Sequence, residues 1–356
     1  MSYFIGIDVG GTTSTVAIGN DKREIVRITD QFSTRASEGP TATIEDIATN
    51  IEAELKKMGS SPQEAASVVI ATPGPATLDG VLGPSPNLRH PEWVNCGIRQ
   101  RLQDRLSTPQ HPTPVAYLGD GQAAALGEFM VRSKKLAWAD APPLDPDDPN
   151  PEQLDSLFFL AVGTGLGGGE VRDGKVVRGR KGRAGHAGHV FLPHDAFRYE
   201  HDRQLMVGRA YGSAESAISL TALTHQLGYR LSLPEWKDHP LNTQEGTVKD
   251  KARKLREMAA DGDELALQLF DDQAAALGIA LLTVNYIGDL DLLVIGGGVC
   301  DLSDDLRRRY LRIAEASYEK HALHGFENSG GFAFSQCGDQ ASVIGALAEA
   351  YEIAGE

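Results

Sequence analysis

Three observations predict an α/β protein of two lobes, each a mixed sheet with flanking helices, facing each other across a cleft. The chain has 356 residues, beyond the length at which a single hydrophobic core keeps growing. Short apolar strand candidates alternate with amphipathic helix candidates along most of it. A strand, a glycine cluster and a second strand occur twice, from Phe4 to Ile18 and from Ser156 to Val177, as two diverged copies of one lobe would place them.

Phe4 to Asp8 is a short apolar run, and Thr13 to Ile18 resumes β-branched character after the glycines, so the chain opens with a β-hairpin. From Thr43, residues Ile44, Ile47, Ala48, Ile51 and Leu55 fall at helical spacing, with Thr43 and Asp46 as a capping pair and Gly59 as a stop. Ser67 to Ala71 and Val115 to Leu118 read as buried strands, separated by a loop rich in proline and glycine and a helix near Ile98 to Leu106. Ser156 to Val162 is the next strand, followed by a second from Gly169 to Val177 with a turn at Asp173-Gly174. Leu293-Val294-Ile295 leads into Gly296-Gly297-Gly298 before a helix. Gly338-Asp339-Gln340-Ala341 opens the last helix, from Asp339 to about Tyr351, which is expected to cross back onto the first lobe. The lobes are then residues 1–119 plus 339–356, and residues 120–338. Stretches 133–155 and 228–263 read as surface insertions, the second with a helix after Thr247.

Composition narrows the function. Hydrophobic residues make up 41% and charged residues 23%, a folded globular balance. The 34 lysines and arginines against 49 acids give a net charge of −15, which repels phosphate backbones and anionic lipid, so neither nucleic acid nor membrane is an expected partner. Small phosphorylated ligands remain compatible, because glycine loops hold phosphate through backbone N–H groups. Cys96, Cys300 and Cys337 are far apart and odd in number, so no disulfide framework can be drawn and a cytoplasmic location is expected. The N-terminus lacks a basic signal region, and no segment is read as reaching the roughly 18 apolar residues of a membrane span.

The most informative motif is Gly163-Thr164-Gly165-Leu166-Gly167-Gly168-Gly169, where five glycines in seven residues follow a strand. It satisfies the G-x-G-x-x-G spacing, yet a hairpin follows instead of the helix that dinucleotide binding needs. A P-loop fails because Val176 stands where a magnesium-binding Ser or Thr must be. A structural hairpin is the plain alternative. Asp8-Val9-Gly10-Gly11-Thr12 supplies a second glycine turn with a hydroxyl and a strand-end carboxylate. Two such turns facing each other could clamp a polyphosphate, with Asp8 near a hydrated magnesium ion.

Taken together, these motifs resemble the ROK family (repressor, open reading frame, kinase) of the actin-like ATPase superfamily, whose fold is ribonuclease H-like. The resemblance rests on Asp8 to Thr12, Thr72-Pro73-Gly74-Pro75, Pro86-Asn87-Leu88, Gly119-Asp120 with Ala123 to Glu128, Gly163 to Gly169, Ala184 to His189, and Val294 to Gly298. They occur in family order from residue 4 to about 347.

The resemblance implies an ATP-dependent sugar kinase acting on the 6-hydroxyl of a hexose, glucokinase-like or N-acetylhexosamine kinase-like, with ATP and Mg2+ as cofactors. By it Asp120 is the general base. Gly10, Gly11, Thr12, Thr13, Gly163, Thr164 and Gly165 surround the phosphates, with Asp8 reaching magnesium through water. Gly296, Gly297 and Gly298 form the adenosine element. Asn87, Gly119, His186, His189 and Glu215 face the sugar, and a homodimer is the family habit. Three departures stand out. Gly119 replaces the usual Asn before the catalytic Asp, and His186 replaces the usual Glu of the sugar-contact turn. No cysteine lies between His189 and Glu215, so the family's structural zinc is not expected, although His186, His189, His194 and His201 crowd the region. A non-catalytic sugar-binding relative and a polyphosphate-using glucokinase are the alternatives. A repressor is disfavoured, because only seven residues precede Asp8.

Overall fold

The computed structural model describes residues 2–144, 148–149, 153–327 and 330–355, so part of the stretch 133–155 lies outside the described residues. The chain opens with β1 (Tyr3–Val9) and β2 (Thr13–Gly19), paired antiparallel as their β-branched pattern requires, followed by β3 (Ile25–Ile28) and β4 (Phe32–Ser33). Helix α1 (Pro40–Lys57) then leads to β5 (Ala65–Thr72), α2 (Ile98–Leu106) and β6 (Val115–Gly119). The sheet order is β3-β2-β1-β5-β6, with β4 beside β2. Its β1, β5 and β6 run parallel.

Helix α3 (Asp120–Arg132) leaves the end of β6 and enters the second half. There β7 (Leu157–Val162), β8 (Leu166–Arg172) and β9 (Lys175–Val176) form an antiparallel meander. A small hairpin follows, β10 (Met206–Val207) with β11 (Ala210–Tyr211). Then come helices α4 (Ala214–Ile218), α5 (Leu220–Arg230), α6 (Pro240–Thr243), α7 (Val248–Ala252), α8 (Leu255–Ala260) and α9 (Glu264–Gly288). Strand β12 (Leu292–Gly297), α10 (Asp304–His321), β13 (Phe332–Phe334) and α11 (Ala341–Ala354) complete the chain. The second sheet runs β13-β12-β7-β8-β9, with β7, β12 and β13 parallel. Both sheets therefore join a three-strand meander to two parallel strands in the same order, which is the duplication the sequence suggested.

Helix α11 packs on β1 and β5 of the first sheet and crosses α3 at close range. The crossing is possible because Gly127 and Gly345 face each other's backbones: a Cβ on either would overlap Ala341 or Ala123 carbonyl oxygen. This approach carries the start of α11 to the C-terminal end of β1.

Several local expectations change. Helix α1 starts at Pro40 with Gly39 as its cap; Thr43 is internal, its hydroxyl donating to Thr34 O at 2.5 Å, and Asp46 pairs with Arg35. Proline at the first helical position needs no N–H partner, so it starts the helix earlier than the polar pair suggested. The second strand of the repeated motif begins at Leu166, not Gly169, because Gly167 to Gly169 pair along β7. The last helix begins at Ala341, after a 3₁₀ turn over Gly338–Gln340. Residues 228–263 are more than a surface insertion: Arg230, Leu241, Ala252, Leu255 and Ala259 are buried, four of them in the core of the second lobe. Helix α9 is long and apolar enough to span a membrane by composition; 72% of its most apolar window is buried within the protein, as in a core helix.

Candidate active site

The two sheets offer equivalent turns. In the first, Val9 pairs with Ser14 and Gly10 N–H donates to Thr13 O at 2.9 Å, closing the turn Gly10-Gly11-Thr12. Gly11 is needed because a Cβ there would lie 2.9 Å from Asn87 O. Asn87 is exposed and stands with Gly11, Thr12, Arg35 and Arg89 around a cavity of about 410 Å³, and is not among the residues that line the cleft around Asp120. In the second, Val162 pairs with Leu166 and Gly163 N–H donates to Gly165 O at 3.0 Å. Helix α5 holds this turn from outside: Leu220 N–H donates to Gly163 O at 2.9 Å, and the Thr221 hydroxyl to Thr164 O at 2.8 Å. Glu215 accepts the Leu166 N–H at 2.8 Å, so its carboxylate braces the second turn.

Asp8 is recessed near the end of β1, where the Ser342 hydroxyl on α11 donates to it at 2.8 Å. Burial pushes its carboxyl up to about 7; the Ser342 hydrogen bond opposes this, and Asp120 and Asp339 add to it. Asp120 is the first residue of α3, with Gly119 in the cap position. Its Oδ1 accepts the Gly121 N–H at 2.7 Å. Burial also raises this carboxyl, while the Gly121 N–H and His186 draw it down.

Around Asp120 lies a narrow cleft of about 60 Å³, lined by Gly74 to Ala76, Tyr117, Gly119, Gln122, Gly167, Gly168, Gly182, Ala184 and His186. That is room for about two waters. Beneath it, the Tyr117 and Thr72 hydroxyls bond at 3.0 Å. One wall is the segment 178–186, anchored by the buried Gln122 amide, which donates to Ala184 O at 3.1 Å and reaches Gly182 O and Arg178 O at 3.5 Å. Arg178 donates to Tyr117 O at 3.2 Å and forms an ion pair with Glu349 of α11. His186 lies at the cleft, and exposed His189 stacks on it at 6.3 Å.

Gly296 lies within β12 against the Phe159 ring, whereas Gly297 has φ +80° and leads into the turn at Gly298, beside the Arg256 guanidinium. The crowded histidines do not converge. His194 meets Glu200 at 3.1 Å, and His201 stacks on His225 and Tyr229 at 4.1 and 4.2 Å. Among the described residues, no group of three or more His, Cys, Asp or Glu could hold a metal ion. The segment is fastened instead by buried Arg230, which donates to both Asp202 oxygens at 2.8 Å and to Asp272 at 3.1 Å.

The sequence profile of the ROK family matches residues 4–138 and 147–352. The chain belongs to the ROK family. A glucokinase of Halalkalibacterium halodurans is 25% identical over 350 residues, covering 96% of this chain and 93% of that one. An N-acetylmannosamine kinase of Vibrio vulnificus is 27% identical, covering 90% and 89%. Among solved structures, a ROK hexokinase from Thermus thermophilus superposes with a TM-score of 0.75 at 23% identity, covering 99% of this chain and 100% of that one. A ROK family glucokinase from Streptomyces griseus, in complex with glucose and AMPPNP, gives 0.70 at 22% identity, with coverage of 99% and 100%. The fold is thus the actin-like one.

Four features of this ROK protein escaped the sequence reading. Ser342 sits one residue beyond the quoted Gly338 to Ala341, and a hydroxyl in the first turn of α11 was its signal. Gln122 stands two positions after Asp120, Arg178 six before the turn Ala184 to His189. Arg256, inside the segment read as an insertion, pairs with Asp301 at 2.8 Å beside the glycine turn; nothing in its local sequence marks it. A groove of about 630 Å³ between Asp195, Arg198, α9 and α10 lies apart from these groups.

Proposed function

We propose that this chain is an ATP-dependent sugar kinase transferring a phosphoryl group to the 6-hydroxyl of a hexose. The observation that carries the reading is Asp120: a recessed carboxylate at the head of α3, in a cleft walled by the segment after the second glycine turn. The names of the relatives support it, glucokinase and N-acetylmannosamine kinase, as does the glucose and AMPPNP complex of the Streptomyces griseus neighbour.

In this reading Asp120 accepts the proton of the 6-hydroxyl as its oxygen attacks the γ-phosphorus of ATP. The new O–P bond forms, the β,γ-bridging bond breaks, and ADP leaves. The backbone amides of Gly10 to Thr12 and Gly163 to Gly165 receive the phosphates. Gly297 and Gly298 border the nucleoside. Asp8, recessed and oriented by Ser342, fits the carboxylate share of a hydrated magnesium site. Bound there, the ion would neutralise phosphate charge. The lobes would close over the bound sugar to exclude water, which could otherwise accept the phosphoryl group. We place the protein in the cytoplasm, where three free cysteines stay reduced, and propose a homodimer as its assembly.

The test is initial rates of ADP release with Mg2+ and ATP across glucose, mannose and N-acetylmannosamine, for the native protein and Asp120→Asn. Turnover that collapses in the variant supports the reading. Equal release with and without sugar, unchanged by the substitution, overturns it.

A further inference from the structure

The chain carries a net charge of −15, yet one wall of the Asp120 cleft is built from a basic stretch, Arg178-Gly179-Arg180-Lys181-Gly182-Arg183, with four cations and no acid in six residues. Arg178 is consumed by Glu349 and the Tyr117 carbonyl. Arg180, Lys181 and Arg183 are exposed, and among the described residues none has an ion-pair or side-chain hydrogen-bond partner. Gly179, Gly182 and Gly185 all adopt positive φ, between 69° and 96°, and fold the stretch into a tight turn. Gly182 and Ala184 line the cleft itself, and His186 follows on the same wall.

The turn is fixed relative to Asp120. Gln122, 5% exposed, holds its carbonyls from α3, two residues past Asp120. A Cβ on Gly182 would lie 3.3 Å from Leu78 N, so the turn also abuts the loop of the first lobe. Leaving three cations unneutralised at a rigid rim costs self-repulsion, and an anion seated there would relieve it. The turn that carries these side chains meets the Asp120 cleft through Gly182 and Ala184, and neither Gly10 to Thr12 nor Gly163 to Gly165 lines that cleft, so charge on the turn stands nearer the acceptor side than the nucleotide side.

We propose that Arg180, Lys181 and Arg183 are specificity-determining residues, and that the acceptor is a sugar bearing an anionic group, carboxylate or phosphate, distant from its 6-hydroxyl. This rests on the kinase reading and narrows its substrate class. The transfer itself is unchanged: the 6-hydroxyl oxygen gains the phosphoryl group, its proton passes to Asp120 and ADP leaves. His186, on the same wall, presents a ring nitrogen that can donate to the anion.

The experiment measures kcat/KM with ATP and Mg2+ for two neutral acceptors, glucose and N-acetylmannosamine, and two anionic ones with a free 6-hydroxyl, gluconate and glucose 1-phosphate. Each is run with the native protein and with Arg180→Ala/Lys181→Ala/Arg183→Ala, at two salt concentrations. The expected result is a preference of about tenfold or more for an anionic acceptor, a difference of roughly 1.4 kcal/mol. That preference shrinks in the triple variant and at high salt. Whichever anionic sugar is preferred identifies the charged group. A preference for neutral sugars, unaffected by the triple substitution, overturns the proposal and leaves the kinase reading standing; so does a variant whose only change is a raised KM for ATP. If no acceptor is consumed, the kinase reading fails, and calorimetry decides the charge claim: tighter binding of an anionic sugar, lost in the variant, supports it, and equal binding of all four overturns it.

Discussion

The hydroxyl of Ser342 donates to the carboxylate of Asp8 at 2.8 Å, joining the first turn of α11 to the end of β1 across 334 positions of sequence. Glycine at positions 127 and 345 brings α11 close enough for this bond, so a packing detail of the helix pair sets the orientation of a candidate magnesium-site carboxylate.

Ser342→Ala is therefore expected to raise the magnesium concentration for half-maximal rate about three- to tenfold, the equivalent of one hydrogen bond of about 1 kcal/mol. Initial rates titrated with Mg2+ check it. An unchanged requirement would show that Asp8 holds its orientation without Ser342.

Asp120→Asn should lower kcat by about 10²–10⁴. Native kcat/KM should rise with pH through a carboxyl value above the ordinary range, since burial raises the Asp120 pKa. The sign for stability is opposite. A group bound more tightly to its proton in the folded state favours folding at low pH, and that contribution is lost as pH rises through the folded value. The Asn variant, which has nothing to ionise, should be at least as stable as the native protein at pH 7 to 8, measured by denaturant unfolding, while nearly inactive.

Gly345→Ala tests the helix crossing. A Cβ there would overlap the Ala123 carbonyl oxygen, and the forced separation of α3 and α11 should cost about 3 kcal/mol of stability. Urea unfolding midpoints compare the two proteins. A neutral effect would mean that the crossing yields easily, and the Ser342 contact with it.

Glu128 is fully buried on α3, accepting from Cys337 N–H at 2.7 Å and pairing with Arg132 at 3.0 Å. Glu128→Ala should destabilise by about 3 kcal/mol, because it leaves the buried Cys337 N–H without its acceptor and the buried Arg132 guanidinium with only Asp148 at 3.5 Å and the Phe334 carbonyl. Glu128→Gln, which keeps one acceptor, should lose less, and equal losses would argue against the charge mattering.

Much of this architecture was legible in the residues. Periodicity located β1, β2, β5, β6, β7 and α2 closely, since those elements are written in local apolar patterns. Both glycine turns and the placement of Asp120 at a strand–helix junction were visible for the same reason. What escaped reading was long-range. The proline start of α1 overrode a plausible polar cap, and Gly167 and Gly168 fall outside the strand expected from Gly169 because their pairing with β7 leaves no local trace. Leu241 and Leu255 sit in a charged stretch whose burial depends on α9 and its neighbours. Glu215 was assigned to the sugar by resemblance, and its carboxylate accepts the Leu166 N–H of the second turn. Ser342, Gln122 and Arg178 become meaningful only when α11, α3 and segment 178–186 converge.

The docking of α11 on β1 and β5 also bears on how the protein is made. Its first sheet emerges from the ribosome well before the helix that covers one face of that sheet, which follows β6 by the whole of the second lobe, roughly ten to fifty seconds later at ordinary elongation rates. Throughout that interval Phe4, Val69 and Leu118, all buried in the finished fold under the cluster that includes α11, have no cover from it. The first lobe is completed only after the second has been made, and nascent chains should lean on chaperones until α11 emerges.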